Sequence, residues 1–161
     1  MMDDVLESTL ASNFRNGAIE AALQGLGRIY SDPGEALEIY TRACSLEVFA
    51  KDLAVMGATL ADGGVNRLTS KDVVSGATSR NTLAVMATAD MYETSGDWLF
   101  ETGLPGKSGV GGGIVTVAQG KGGLGIFAPR LDAAGNSVQG QMAAVFLSRA
   151  LGLDVFLSSA P

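Results

Sequence analysis

The first part of the chain places apolar residues at helical spacing. Between residues 13 and 26 they recur every three or four positions, at Phe14, Ala18, Ile19, Ala22, Leu23 and Leu26. This period predicts an amphipathic helix. Ser12 or Asn13 is its expected N-cap, and Gly27 is its expected stop.

A second helix start is predicted at Ser31-Asp32-Pro33-Gly34. Asp32 is the expected cap and Pro33 the first helical residue, because the first turn does not need the N–H that proline lacks. Two helices should follow, over about 34–43 and 46–62. The second carries apolar residues at Val48, Leu53, Met56 and Leu60.

The middle of the chain also has a helical pattern. Thr69-Ser70-Lys71-Asp72 has the composition of a helix cap, and the pattern continues to about Met91 with an interruption near Gly76. The segment 82–87 is apolar nearly all round, so we expect it to be deeply buried.

From Gly96 onward the pattern changes to short apolar runs joined by glycine. Trp98–Glu101, Gly112–Ala118 and Leu124–Ala128 are predicted strands of an antiparallel meander. A final helix is predicted over about 137–151, with a buried face formed by Val138, Met142, Val145, Phe146 and Leu151. Helices followed by hairpin strands and a C-terminal helix indicate an α+β fold rather than alternating βαβ units.

Composition narrows the function classes. The 161 residues have an apolar fraction of 47% and a net charge of −6 without a basic cluster, which argues against a nucleic-acid partner. No apolar stretch reaches transmembrane length, and the acidic start does not resemble a secretory signal. The expectation is therefore a soluble cytoplasmic protein that acts without a membrane.

The chemistry available is limited by two residue counts. The sequence has no histidine and one cysteine, Cys44, which excludes histidine-based triads, an internal disulfide and thiolate metal clusters within these residues. No metal site and no cofactor are predicted. Cys44 lies in an apolar-periodic segment and is expected in the core. Nucleophilic chemistry must rest on serine, tyrosine and lysine.

The run from Leu104 to Ile114 is the most distinctive segment. It places Lys107 and Ser108 beside successive glycines, immediately before a predicted strand. Main-chain N–H groups without neighbouring side chains can approach a substrate and donate to an oxyanion, while a lysine can hold a carboxylate. A flexible glycine hairpin with one solvated lysine explains the same residues, and the run alone does not decide between the two.

Two phosphate-binding motifs are disfavoured. A P-loop requires glycine five residues before Gly106, where this chain has Glu101, and it must open a helix. Gly120–Gly125 matches the dinucleotide pattern G-x-G-x-x-G but lies between predicted strands, so a glycine-rich turn is the stronger interpretation.

Several segments together resemble the serine-dependent glutaminases, relatives of the β-lactamases and penicillin-binding proteins. The matching pieces are Arg15-Asn16, residues 40–45, residues 52–61, Met91-Tyr92, residues 104–114, Leu131-Asp132 and Gly135-Asn136-Ser137. Their order is similar to that of the C-terminal half of the family, from about residue 5 to residue 156. The resemblance therefore implies that residues 1–161 are the C-terminal portion of a glutaminase-like domain with a β-lactamase-like fold.

The resemblance implies hydrolysis of L-glutamine to L-glutamate and ammonia through a serine acyl-enzyme. If only half of the fold is present, an apolar face should be exposed and favour self-association, so a homo-oligomer is expected. The family's nucleophile belongs to a Ser-x-x-Lys motif in its N-terminal half, where the lysine can take the hydroxyl proton. No Ser-x-x-Lys occurs in these 161 residues. The chain alone is therefore expected to be inactive.

The resemblance also assigns candidate site residues. Asn16 and Tyr40 match substrate-binding positions, Tyr92 matches a tyrosine suited to pass a proton beside the nucleophile, and Val110 matches the residue whose N–H forms the oxyanion hole. Lys107 and Ser108 occupy the place of the Lys-Thr-Gly element of β-lactamases.

One residue departs from the family pattern. Thr9 stands where the family has a glutamate that binds the substrate ammonium, and a threonine cannot form that charge-assisted bond. Either the register shifts by two residues to Glu7, or recognition of free glutamine is weakened. The alternative function is a non-catalytic glutaminase-like remnant that acts as a binding or interaction module.

Overall fold

The computed structural model describes residues 2–157. The chain folds as two compact units, Met1–Glu47 and Val48–Pro161. Each unit has its own internal packing, and the two are described in turn.

The N-terminal unit contains α1 (Asp3–Ala11), α2 (Phe14–Gly25) and α3 (Pro33–Cys44). The start of α3 is as predicted, because Asp32 Oδ1 accepts the Glu35 N–H at 2.9 Å with Pro33 as the first helical residue. The helix α1 was not predicted from the apolar pattern. A hydrogen bond of 2.8 Å from Asn13 Nδ2 to Thr41 Oγ1 joins the start of α2 to α3.

The expected burial of Cys44 is wrong. Its thiol is exposed at the end of α3, and the buried residues of that last turn are Thr41 and Ser45. Their hydroxyls donate to main-chain carbonyls four residues earlier, Leu37 and Thr41 respectively, which allows polar side chains to be buried there.

The C-terminal unit contains the remaining described elements. They are α4 (Ala50–Ala61), β1 (Val65–Asn66), β2 (Lys71–Asp72), α5 (Gly76–Ala89), a 3₁₀ turn (Tyr92–Thr94), α6 (Ser95–Thr102), β3 (Gly106–Ser108), β4 (Gly113–Ala118), β5 (Gly122–Phe127) and α7 (Val138–Ala150). Strands β3, β4 and β5 form an antiparallel sheet in that order. This confirms the second and third strands of the predicted meander, but not its first strand.

Two predicted elements of this unit are wrong. Lys71 and Asp72 form β2, which pairs with β1, and α5 begins only after Ser75, whose Oγ accepts the Thr78 N–H at 3.1 Å. The segment Trp98–Glu101 is part of α6 rather than a strand. Its aromatic residues suggested β structure, but the first strand of the sheet is β3, beyond the helix end at Gly103, which has a left-handed φ of 63°.

Helix α4 packs directly on the sheet through small residues. A methyl group added at Gly57 would lie 3.0 Å from Val115 Cγ2 and 3.1 Å from Gly123 Cα. Methyl groups at Gly123 and Gly125 would collide with the backbone of α4. The residues 119–121 form the turn between β4 and β5, as the turn interpretation of the second glycine motif requires.

The predicted burial of the later helices is only partly correct. In the segment 82–87, Leu83 and Met86 are buried while Ala84 and Val85 are exposed. In α7 the predicted buried face is wrong, because the large apolar residues point mainly to solvent and the small ones are buried. Exposed are Val138, Met142, Phe146 and Leu151, and buried are Gly140, Ala144 and Ser148.

Candidate functional site

The backbone of Tyr92 has an unusual conformation. Its φ of 53° lies in the left-handed region, which is costly for a bulky residue and persists only when surrounding bonds enforce it. Ser95 Oγ donates to Tyr92 O at 2.7 Å and accepts the Met91 N–H at 3.0 Å. The Thr94 N–H donates to Met91 O at 3.2 Å. The 3₁₀ turn after Met91 is thus closed by hydrogen bonds on both sides of Tyr92.

Three of the predicted site residues come together around this tyrosine. Lys107 Nζ lies 5.3 Å from the centre of the Tyr92 ring. A methyl group added at Gly135 would be 3.5 Å from both Tyr92 Cε2 and Val110 Cγ1. Tyr92 and Val110 therefore flank Gly135, and Lys107 faces the same ring.

The N–H of Val110 lies in a hydrogen-bonded turn and has no acceptor of its own among the described residues. It lies in the turn between β3 and β4, which is held by bonds from Gly109 N to Gly113 O at 3.0 Å and from Gly112 N to Gly109 O at 2.9 Å. Among residues 2–157, the Val110 N–H donates to no acceptor. Val110 is 73% exposed, and methyl groups at Gly109 or Gly111 would meet nothing within 4 Å. A free donor in open space can stabilise an oxyanion.

Lys107 and Ser108 differ in their surroundings because alternate residues of β3 face opposite sides. Lys107 is exposed, and its ammonium donates to Ser108 O. Ser108 is 2% exposed, and its hydroxyl donates to Asn136 Oδ1. The buried hydroxyl of Ser108 therefore contributes a structural bond, whereas Lys107 has the accessible charge.

The loop after β5 contributes a residue to which sequence reasoning assigned no role. Asn136 is 0% exposed, and its Nδ2 donates to Met91 O at 3.2 Å and to Thr94 Oγ1 at 2.9 Å. The signal that could have found it is the segment Asp132–Ser137, whose Asp, Gly and Asn are typical of a side-chain-stabilised turn before a helix.

Asp132 orders this loop. Its partial burial by itself would raise the carboxyl pKa. The hydrogen bonds that it accepts from the Asn136 N–H, the Gln141 side chain and the Gly135 N–H outweigh that effect, so the pKa of Asp132 is lowered. The carboxylate is therefore the form that the folded loop favours.

The two remaining substrate-binding candidates lie together in the N-terminal unit. Asn16 and Tyr40 line one cavity of about 300 Å³ between α2 and α3, and Glu20 lines it as well. Asn16 Nδ2 donates to Asn13 Oδ1 at 2.6 Å, which connects it to the bond between Asn13 and α3. Thr9 is on α1 and is not among the residues that line this cavity.

Three further features of the described residues were compared with the candidate site: a groove, possible metal-binding groups and possible membrane-spanning helices. A groove of about 650 Å³ beside α6 and α7 is lined by Met142, Val145 and Phe146 but by none of the predicted site residues. In residues 2–157 no group of three or more Cys, Asp or Glu side chains is arranged to hold a metal ion. None of the described helices is sufficiently long and apolar to span a bilayer.

Comparison with known proteins decides the family. Residues 1–156 match the family model described as Glutaminase. The chain belongs to the glutaminase family. Glutaminase 2 of Yersinia pestis is 63% identical over 156 residues, which are 97% of this chain and 46% of that protein. The glutaminase of Bordetella avium is 49% identical over 97% of this chain and 50% of that protein.

Solved structures agree with this assignment. A probable glutaminase, ybaS, superposes with a TM-score of 0.92 at 46% identity, over 97% of this chain and 50% of that one. The Bacillus subtilis glutaminase YbgJ, in covalent complex with 5-oxo-L-norleucine, superposes with a TM-score of 0.86 at 29% identity, over 96% of this chain and 55% of that one. The resemblance to glutaminases and the predicted α+β, β-lactamase-like fold are confirmed, and the chain spans about half the length of the relatives it matches.

Proposed function

We propose that this chain supplies one part of a glutaminase active site that hydrolyses L-glutamine to L-glutamate and ammonia. The observation that supports this most strongly is that Lys107 lies beside the Tyr92 ring, while the Tyr92 ring and the Val110 side chain both lie beside Gly135. A further segment must supply the nucleophile, since the 161 residues contain no Ser-x-x-Lys. The proposed domain assignment is thus the C-terminal portion of a glutaminase-like domain.

Each group has a role in the proposed reaction. The serine oxygen attacks the carboxamide carbon, and the Val110 N–H stabilises the oxyanion that forms. The Tyr92 hydroxyl passes the proton from the serine to the departing ammonia, leaving an acyl-enzyme. Water then attacks the ester, the serine regains its proton and glutamate is released. The Lys107 ammonium lies 5.3 Å from the centre of the Tyr92 ring, beside this proton transfer.

The N-terminal unit is proposed to bind the amino-acid end of glutamine through Asn16 and Tyr40. The two line one cavity, which supports a shared role. Thr9 and the lack of Ser-x-x-Lys favour the second candidate function, a non-catalytic module that binds an amino acid or a partner.

The exposed apolar face of α7 supports the proposal that a further segment covers it. Met142 is 68% exposed and Phe146 is 69% exposed, and both line the groove beside α6. A relative twice as long has the chain length to cover such a face. The chain by itself is expected to associate into homo-oligomers through this apolar face of α7. We also propose that the protein is cytoplasmic and that it binds neither nucleic acid nor membranes.

Light scattering tests the role of this face. Residues 1–161 should have a molar mass larger than that of a monomer. Phe146→Glu should shift the population toward the monomer, because a charge is costly to bury in an interface. Leu68→Glu, at an apolar residue that is equally accessible but distant in sequence, should leave the distribution unchanged. A monodisperse unsubstituted monomer would contradict the assignment of the α7 face.

Complementation tests the function itself. The chain alone should release no ammonia from glutamine above background, because oxyanion stabilisation without a positioned nucleophile is ineffective. Adding the part of the Yersinia pestis relative that this chain does not match, as a separate polypeptide, should restore turnover. Ammonia from the chain alone would show that another residue is the nucleophile. A stable but inactive mixture that still binds glutamine by calorimetry would favour the binding module.

Tyr92→Phe then tests the proton-transfer role. In the complemented protein, kcat should fall by about 10² or more while KM changes little, because the lost hydroxyl acts in the transition state. Tyr30→Phe is the matched control, since Tyr30 is 87% exposed and outside the cavity of Asn16 and Tyr40. Equal kcat values for the Tyr92 variant and the control would refute the assignment.

A further inference from the structure

We propose that Asn136 is a positioning residue, which holds the Tyr92 backbone in its strained conformation against the strand that carries Lys107. The catalytic meaning of this assignment rests on the proposed function above. Its structural content does not, because it concerns the conformation of Tyr92 in this chain.

The Asn136 side chain connects two segments that are distant in sequence. Its Oδ1 accepts from Ser108 Oγ, 28 residues away, at the end of β3. Its Nδ2 donates to Met91 O, 45 residues away, and to Thr94 Oγ1. Both donor positions and the acceptor of the amide are therefore used inside the protein, where a lost partner is costly.

The Met91 carbonyl is the part of this contact that controls Tyr92. It belongs to the peptide unit that joins Met91 to Tyr92, so its direction is set by ψ of Met91 and φ of Tyr92. It accepts the Asn136 amide at 3.2 Å, the Thr94 hydroxyl at 2.9 Å and the Thr94 N–H at 3.2 Å. Fixing this carbonyl fixes the peptide plane before Tyr92, and the bond from Ser95 Oγ holds the Tyr92 carbonyl on the other side, so the two together maintain the φ of 53°.

Asn136 is itself held independently of the segments that it connects. Its N–H donates to Asp132 Oδ1 at 2.9 Å, and its carbonyl accepts the Asp132 N–H at 2.8 Å. The next residue, Ser137, caps α7 by accepting the Gly140 N–H at 3.0 Å. The Asn136 amide therefore projects from a loop with its own bonds, so it can impose a position on Tyr92.

The same loop brings Gly135 beside the Tyr92 ring and the Val110 side chain. One turn thus fixes both the backbone of Tyr92, through Asn136, and the space beside its ring, through Gly135. A second link, from the Ser108 N–H to Asp90 O at 3.2 Å, connects the same two segments by their backbones. Asn136 provides the side-chain part of that connection.

The experiment uses the full chain and solution NMR. Asn136→Asp keeps the shape of the side chain but replaces the N–H donors with an oxygen. We expect the backbone shifts of Tyr92 to move away from left-handed values and the exchange protection of the Thr94 amide to fall by about tenfold to a hundredfold. The amide of Val117, in the centre of the sheet, should lose much less of its exchange protection.

Ser137→Ala is the matched control. It removes a neighbouring buried hydroxyl that donates to Ala128 O at 2.7 Å, so it should lower global stability without moving the Tyr92 shifts. Unchanged Tyr92 shifts in Asn136→Asp, or equal changes in both variants, would overturn the proposal.

The pH dependence of the Tyr92 shifts in Asn136→Asp distinguishes the positioning role from a general packing role, because a packing role would not make these shifts depend on pH. Burial raises the pKa of the carboxyl introduced by Asn136→Asp, whereas the pKa of Asp132 is lowered, so the sample is acidified only as far as Asp132 stays ionised. The protonated carboxyl then regains one O–H donor that can reach Met91 O, and the Tyr92 shifts should return part of the way toward those of the unsubstituted chain. If Asn136→Asp does not fold, Asn136→Ala removes the same bonds to Met91 O and Thr94 Oγ1 without introducing a charge, and it should move the Tyr92 shifts in the same direction. No movement in that variant would equally overturn the assignment.

The outcomes also separate this assignment from the proposed function. Normal complementation with unmoved Tyr92 shifts would refute only the role of Asn136. Moved shifts with failed complementation would refute only the proposed function. If the positioning role of Asn136 and the proposed function are both correct, Asn136→Asp should lower kcat more than it changes KM in the complemented protein.

Discussion

Glycine fills two stretches of the C-terminal unit, Gly106–Gly113 and Gly120–Gly125, for different physical reasons. In the second stretch, the space beside Gly123 and Gly125 is occupied by the backbone of α4. In the first, the space beside Gly109 and Gly111 is empty. Two segments of similar composition therefore have different uses, and the atoms around each glycine show which use applies.

Close packing explains Gly123 and Gly125 of the second stretch. These two glycines let a helix lie directly on a strand, with no room for a ligand between them. In the first stretch, the open positions Gly109 and Gly111 flank Val110, whose N–H has no acceptor among the described residues and can serve a ligand oxygen. A glycine-rich sequence by itself does not distinguish these two cases.

Gly125→Ala should have the largest effect. The added methyl group would collide with the Ala50 carbonyl and approach the Ala54 N to 2.6 Å, and these main-chain atoms cannot move alone. We expect a loss of about 3 kcal/mol of unfolding free energy by urea denaturation.

Gly109→Ala is the matched substitution in the first stretch. It has open space and no positive φ, so its unfolding free energy should remain within about 0.5 kcal/mol of the unsubstituted chain. If the two substitutions had equal costs, the contrast between packed and open glycines would be wrong.

Acid should have a smaller effect, confined to the loop of Asp132, which places Gly135 beside Val110 of the first stretch. The pKa of Asp132 is lowered by folding, so its bonds contribute fully above the unfolded value of about 3.9 and are lost as pH falls through the folded value. Below about pH 4, protection factors of the Gly135 and Asn136 amides should therefore decline before that of Gly123. Asp132→Asn should remove this pH dependence, and a simultaneous loss at all three amides would contradict the prediction.

Local signals predicted part of the fold well. Asp32 and Pro33 determine where α3 begins because a cap and a fixed φ act within one turn. Trp98 was misassigned because its neighbours favour strands, whereas its actual position depends on contacts with residues beyond the end of α6. Its indole packs on Gly106 and donates to Leu104 O at 2.8 Å. Propensity carries no information about such a contact.

The prediction of the buried face of α7 was wrong for a related reason. The large side chains of Met142 and Phe146 suggested a core face, but Ala144 and Gly140 are buried because they permit a close approach to the sheet. A methyl group at Gly140 would lie 3.0 Å from Ile114 Cδ1. Size and hydrophobicity predict burial only when the surface that a helix faces is known.

For the candidate site, family resemblance located Tyr92, Lys107 and Val110, which the structure brings together. It did not reveal how they are held. Asn136 acts through bonds to residues 28 and 45 positions away, which no local pattern in the sequence encodes.

The distance in sequence between Asn136 and Met91 has a consequence for the order of folding. The hairpin of β4 and β5 pairs residues close along the chain, as at Ala118 and Gly122, so it can form early. The bond from Asn136 to Met91 closes a loop that contains α6 and the whole sheet, and its entropic cost is recovered only when they are in place. Tyr92 is therefore expected to reach its left-handed conformation late, so a chain arrested during folding would have the sheet before it has the site.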